Sequence, residues 1–205
     1  MGLIAKNNGG DFELPPAGNH VARCCRVIDL GTQDVEWQGK VKRQAKVLIT
    51  WELVDEKMGD GRPFTISRTI TNSLAQNGNL RPMLESWRGK AFTEQDLEGW
   101  DLRKVLNAPC MVNVVHEKSK DGSKTYANVS SVASLPKGMK ASELTNEQIA
   151  YSVEDGKSKV FCEFSDYLRA KIEKCHEWTD PKDEAPEPRA ELPPGADDED
   201  DNIPF

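Results

Sequence analysis

The spacing of apolar residues changes period twice along this chain, and that double change restricts the fold more than any other feature. "HVARCCRVIDL" (20–30) is short, β-branched and bounded by Pro16 and Gly31. In "RQAKVLITWELV" (43–54) Val47, Ile49, Trp51 and Leu53 fall on one face, and in "RPFTISRTIT" (62–71) Phe64, Ile66 and Ile70 alternate with Thr65, Ser67, Thr69 and Thr71. Period two is what a strand with one buried face requires. Over 79–89 the period becomes helical. Leu80, Met83, Leu84 and Trp87 make an i, i+3, i+4, i+7 stripe, with Asn79 at the N-cap, Pro82 in the tolerated first turn and Gly89 at the C-cap. Thr93 with Asp96, and Asp101 ahead of Leu102, Val105 and Leu106, mark two further helix starts. Strands return in "PCMVNVVHE" (109–117) and "TYANVSSVASL" (125–135), joined through the Asp121–Gly122 turn as a hairpin.

Three strands, a helix and two strands over 20–135 is the element order of the OB-fold, a partly open five-stranded Greek-key barrel that binds oligonucleotides or oligosaccharides on one face. The expected class is therefore mainly β, with the barrel over 19–138 and its helix between strands three and four. Residues 1–18 are Gly-, Asn- and Pro-rich and read as a flexible N-terminal arm. Residues 139–178 form an appendage. Its first part, "TNEQIAYSVEDGKSKVFCEF", is ambiguous; its second, "SDYLRAKIEKCHEW", reads as a helix capped by Ser165 with Leu168, Ile172 and Cys175 on one face. Packing against the barrel and pairing with a second subunit, as in a homodimer, are both open to it. Residues 179–205 are too polar to fold alone and read as a disordered acidic tail.

Charge divides along the same boundary. The chain has 27 basic and 34 acidic residues, net −7. Residues 179–205 hold ten acids and two bases, so the tail carries −8 and leaves the body at +1. A near-neutral body can carry a local basic face that the overall charge conceals.

Basic residues lie beside aromatic ones at three places. Trp37 sits among Lys40, Lys42, Arg43 and Lys46, where the first two strands meet; Phe64 lies between Arg62 and Arg68; the last hairpin offers His116, Lys118, Lys120, Lys124 and Tyr126. Single-strand binders need this mixture, because bases stack on rings at roughly 1–3 kcal/mol each while Lys and Arg follow the phosphates. Trp51 and Trp87 share faces with aliphatic residues and belong to the core. For Trp37, Phe64 and Tyr126 core packing and stacking are both open, and the lysines also fit an ordinary solvated surface.

Catalysis has little to stand on. His20, His116 and His176 are scattered, and no GxSxG, HExxH or Walker pattern occurs. Cys24–Cys25 is not a CxxC, and Cys175–His176 lacks a second ligand pair at metal spacing, so no metal or cofactor is expected. Five cysteines without framework spacing suit reduced thiols, and no run approaches the roughly 18 apolar residues of a membrane helix. The expectation is a non-enzymatic cytoplasmic protein with no membrane partner.

Two stretches carry a resemblance. The ending "DDEDDNIPF" is similar to the acidic tip of bacterial-type single-stranded DNA-binding proteins. The body, with "ARCCRVIDLGTQ", "VLITWEL", "GRPFTIS", "LESWRGKAFT" and "VVHEKSKDGSKTYANV", resembles phage-encoded single-stranded DNA-binding proteins over about residues 16–178. The resemblance implies an OB-fold protein that coats unpaired DNA during replication, recombination or repair, in the host cytoplasm if phage-encoded. It also implies that the tip, with Ile203, Pro204 and Phe205, docks on partner proteins: the terminal aromatic Phe205 enters an apolar pocket while Asp197, Asp198, Glu199, Asp200 and Asp201 meet a basic rim. The body departs from the bacterial-type protein, so that group's tetramer does not carry over. An OB module that prefers RNA, and an adaptor that binds only proteins, are the alternatives.

Overall fold

The computed structural model describes residues 13–37 and 39–178, with the side chain of Trp37 left out. The molecule is mainly β. One long strand, β1 (Gly18–Trp37), organises it. β1 pairs antiparallel with β2 (Lys40–Lys57) from Ala22↔Leu53 to Trp37↔Lys40, and on its other edge with β4 (Pro109–Lys118) from Gly18↔Val114 to Arg23↔Pro109. β3 (Pro63–Thr71) pairs with β2, and β5 (Thr125–Ala133) with β4, so the order is β3-β2-β1-β4-β5. A short β6 (Ile149–Tyr151) runs parallel to β1 at Arg26–Ile28, on the edge that β4 vacates. No ladder joins β3 to β5 among the described residues, so the sheet is open there.

β1 continues seven residues beyond the apolar run that signals it. Its extension pairs with 40–45 as a ribbon of solvated residues, a stretch with no apolar period to read. Register shifts between Cys24 and Arg26 and between Asp29 and Thr32 bend the strand, as β-bulges do. The first shift also inverts the face assignment: Ala22, Cys24 and Val27 enter one core, whereas Ile28 and Leu30 enter another.

The first core lies under α1 (Leu80–Arg88). Val47, Ile49, Trp51 and Leu53 are all buried, and the Trp51 ring meets Trp87 with centroids 5.7 Å apart. Trp87 donates its indole N–H to the Pro109 carbonyl (3.0 Å), tying the helix to the start of β4. Gly89 ends α1 in the left-handed region (φ 69°), as the sequence anticipates. Thr93 and Asp96 form a reciprocal capping box at α2 (Glu94–Glu98), and Asp101 caps a 3₁₀ turn, Leu102–Val105.

The second core explains the appendage. Ile28 and Leu30 on the outer face of β1 pack with Tyr151, Val153, Phe161, Phe164, Ile172 and Cys175. Phe161 lies in α3 (Lys159–Cys162) with Phe164 just after it, and Ile172 ends α4 (Asp166–Ile172) with Cys175 just after it; Ser165 caps α4. Of the two roles open to residues 139–178, packing on the chain's own sheet is the one the structure contains. The connection is stapled twice. Arg23 donates to the carbonyls of Ser142 (2.8 Å) and Ala141 (3.1 Å), and buried Glu52 accepts from Thr145 N (2.8 Å), Asn146 N (2.8 Å) and Asn146 Nδ2 (2.6 Å).

Residues 13–17, expected within the loose arm, are bonded to the body. His20 Nε2 donates to the Pro16 carbonyl and His116 Nε2 to that of Pro15, both at 2.8 Å, and Glu13 accepts from Gly59 N at 2.8 Å. Among the described residues no helix is long and apolar enough to cross a membrane.

Candidate nucleic-acid interface

Register separates the predicted cations into two groups. Because β1 is antiparallel to both neighbours, the β2–β3 and β4–β5 turns lie beyond its N-terminal end and the β1–β2 turn lies beyond its C-terminal end. Arg62, His116, Lys118, Lys120, Lys124 and Tyr126 thus share one end, and Lys40, Lys42, Arg43 and Lys46 the other. Trp37 is in register with Lys40, and its side chain lies outside the described residues.

At the β1–β2 end Lys40, Lys42 and Arg43 are exposed. Arg43 Nε lies 3.8 Å from Asp34 Oδ1, an acceptor that also takes a hydrogen bond from His176 Nε2 at 2.9 Å. Lys46 is half-buried, donating to Gln44 Oε1 (2.6 Å) and Thr71 Oγ1 (2.9 Å). Burial, then the neighbouring Lys171 charge, pulls its pKa down.

At the other end Lys118, Lys120 and Lys124 are exposed, and Tyr126 is 51% exposed, a ring available for stacking. The turn holding them is built on Asp121, which accepts from Ser119 Oγ, Ser123 N and Ser123 Oγ; these bonds pull its carboxyl down to about 2. His116 directs its ring to the Pro15 carbonyl and acts as a strap for the chain's start. Arg62 is bound to Asp60 (Nη2–Oδ2 2.6 Å), which offsets its charge.

Phe64 is corrected to the core. It is 8% exposed and packs with Ile66, Ile70 and Trp51, so its ring is not presented to a base. Arg68 is half-buried on the same side of β3, in register with core residue Ile49.

What the sequence reading missed is a groove of about 290 Å³ between the outer face of β1–β3 and the appendage. Arg26, Arg62, Thr50, Thr65, Ser67 and Asn146 give it hydrogen-bonding groups, and Ile28, Leu48, Met58 and Leu168 give it an apolar floor. No carboxylate lines it. Arg26 has no hydrogen-bond or ion-pair partner for its side chain among the described residues, and Thr50 Oγ1 and Ser67 Oγ are 2.9 Å apart. The available signal was Arg26 within a run buried on both sides, where a cation is out of place unless it reaches a groove or solvent. Asn146 could not be placed without the fold. A groove with the unpartnered Arg26, hydroxyl groups and an apolar floor can hold a phosphodiester and the sugar or base beside it.

No protein-family model matches the chain, and no curated protein matches it in sequence. Residues 197–205, the predicted docking tip, lie outside the described residues.

Proposed function

We propose that the chain is a single-strand nucleic-acid-binding protein of the OB type, without catalytic activity. Three features support this reading: the sheet order β3-β2-β1-β4-β5, the helix between β3 and β4, and the approach of β3 to β5 without a ladder. The observation that carries it is the groove on the outer face of that sheet, lined by Arg26, unpartnered among the described residues, and by no carboxylate, with exposed lysine clusters beyond both ends of β1.

More particularly, the resemblance of body and tip points to a phage-encoded single-stranded DNA-binding protein. It coats unpaired DNA in replication, recombination or repair. Its acidic Ile-Pro-Phe tip recruits the proteins that work on that DNA, with Phe205 as the apolar anchor and the preceding acids steering the encounter.

The test is a titration of the full chain with an unstructured single strand, followed by tryptophan quenching or anisotropy at several salt concentrations. Expected are tight binding, little sequence preference and a steep loss with salt; losing one phosphate contact lowers the log–log slope by about 0.7 for single strands. Deleting 197–205 leaves DNA binding intact or tighter at low salt and weakens capture of replication proteins. Equal affinity for duplex DNA, or affinity indifferent to salt, contradicts the proposal. Parallel RNA titrations decide between DNA and RNA, since the 2′-hydroxyl is what separates them.

A further inference from the structure

The open seam between β3 and β5 is a second place where this fold exposes hydrogen-bonding chemistry. A cleft of about 260 Å³ opens there beside α1, lined by Arg68, Asn79, Pro82, Met83, Ser86, Ser130, Ser131 and Val132. Its composition is one-sided: one guanidinium, four neutral hydrogen-bonding side chains and no carboxylate. It is separate from the outer-face groove, with which it shares no lining residue.

Arg68 is the anomaly. Along β3 its neighbours of the same parity, Phe64, Ile66 and Ile70, are all buried apolar residues of the first core. A strand that alternates this regularly would hold a fourth apolar side chain at 68. The sequence instead has a cation, half-buried, whose side chain makes no hydrogen bond or ion pair among the described residues. Elsewhere in the body the arginines are mostly committed: Arg23 to carbonyls, Arg62 to Asp60, Arg81 to Glu85, Arg88 to Asp96 and Arg103 to Asp101. A half-buried guanidinium carries five donors, and leaving them unanswered costs stability unless water or a ligand meets them. Asn79 is also uncommitted, since its side chain makes no capping bond to α1.

We propose that the β3–β5 seam is a phosphate seat for the bound single strand, with Arg68 as its cation and Asn79, Ser86 and Ser131 as neutral donors. The inference rests on the proposed function for its ligand and adds a contact the outer-face groove does not supply. The guanidinium fork matches two oxygens of one phosphodiester, and Pro82, Met83 and Val132 give the adjoining sugar or base an apolar wall.

The experiment titrates the full chain with oligo-dT across a salt series, comparing wild type with R68Q, S131E, R26Q and, as a control for generic charge loss, K137Q. Lys137 is exposed and lies outside the groove, the seam and both hairpin turns. R68Q is expected to lower affinity several-fold to about tenfold and to reduce the salt slope by about 0.7, with K137Q close to wild type. S131E, which puts a carboxylate into the cleft from an exposed position, weakens binding without lowering the melting temperature. If R68Q does not fold, S131E alone decides: weaker binding upholds the seat and unchanged binding overturns it. Should wild type bind and R26Q weaken while R68Q and S131E match wild type, the seam inference falls and the proposed function stands. Should wild type not bind oligo-dT at all, both fall together.

Discussion

Replacing Glu52 with Gln tests whether the appendage is part of the folded body or only rests on it. Glu52 is fully buried, and its carboxylate holds three donors from the connection: Thr145 N on Oε1, and Asn146 N and Nδ2 on Oε2. A glutamine keeps the shape but has one acceptor oxygen. Turned toward Asn146, it preserves two bonds, now neutral, and sets an NH₂ against Thr145 N. One part-buried N–H loses its acceptor, which costs about 1 kcal/mol, and two charge-assisted bonds weaken by up to about 1 kcal/mol each. Against this, the amide avoids part of the desolvation cost of a buried charge. The net loss is about 2 kcal/mol, which for a body of this size lowers the midpoint of thermal unfolding by roughly 4–8 °C. Calorimetry measures the midpoint and limited proteolysis locates the damage, with new cuts expected within 139–148. Because Asn146 also lines the outer groove, oligonucleotide affinity falls as well. An E52Q protein with the wild-type midpoint and the wild-type digestion pattern would refute the reasoning.

Three further outcomes follow from the packing. Burial pushes the Cys25 thiol from 9.0 up to about 11 and raises Cys24 and Cys110 as well. Since the folded state holds these thiols neutral, stability is complete below pH 9 and is lost as pH rises from 9 toward 11. At pH 8 a thiol reagent should label exposed Cys162 quickly and the other four only on unfolding; two or more fast thiols would contradict the burial. Gly31 has φ 63°, and a Cβ there would come within 2.5 Å of Cys175 Sγ and 2.8 Å of Glu177 Oε2. G31A should therefore cost more than the roughly 1 kcal/mol of a left-handed residue, with part of the excess recovered in a C175G background; chemical denaturation of the four proteins measures the coupling. Finally, Tyr126→Ala should weaken single-strand binding at constant melting temperature, whereas Phe64→Ala should cost about 3–5 kcal/mol of stability; the opposite pattern would exchange their roles.

The elements whose apolar residues face one core were legible from period alone: β2, β3, α1 and the β4–β5 hairpin all fall where alternation or the helical stripe puts them. The capping box at Thr93 and the left-handed Gly89 were legible for the same reason, since both are local chemistry. β1 was legible as a strand over 20–30, but neither its extension to Trp37 nor its burial on both faces was. Val27 and Ile28 are adjacent in sequence and enter different cores, so a run such as "CCRVIDL" has no single period and conceals the bulge that divides it. That run did contain the clue: consecutive apolar residues in a strand imply two covered faces, and only 139–178 remained to cover the second.

Electrostatics was legible as composition and not as arrangement. Lys40 to Lys46 and Arg62 stand close in sequence, yet the fold carries them to opposite ends of β1, Arg68 falls opposite its middle, and Arg62 joins the β4–β5 lysines some 55 positions later. Pairing then alters what each cation is worth. Exposed Arg62 is partnered by Asp60, whereas Arg26 and Arg68, less exposed, have side chains with no partner among the described residues. Exposed ion pairs contribute little to stability, and an unpaired, half-buried guanidinium contributes less than nothing until something anionic reaches it. On that ground Arg26 and Arg68 outrank the lysine clusters as determinants of affinity. Removing either should cost more binding per charge than removing Lys118 or Lys124, and a titration series in which the lysine variants were the weaker binders would reverse the order.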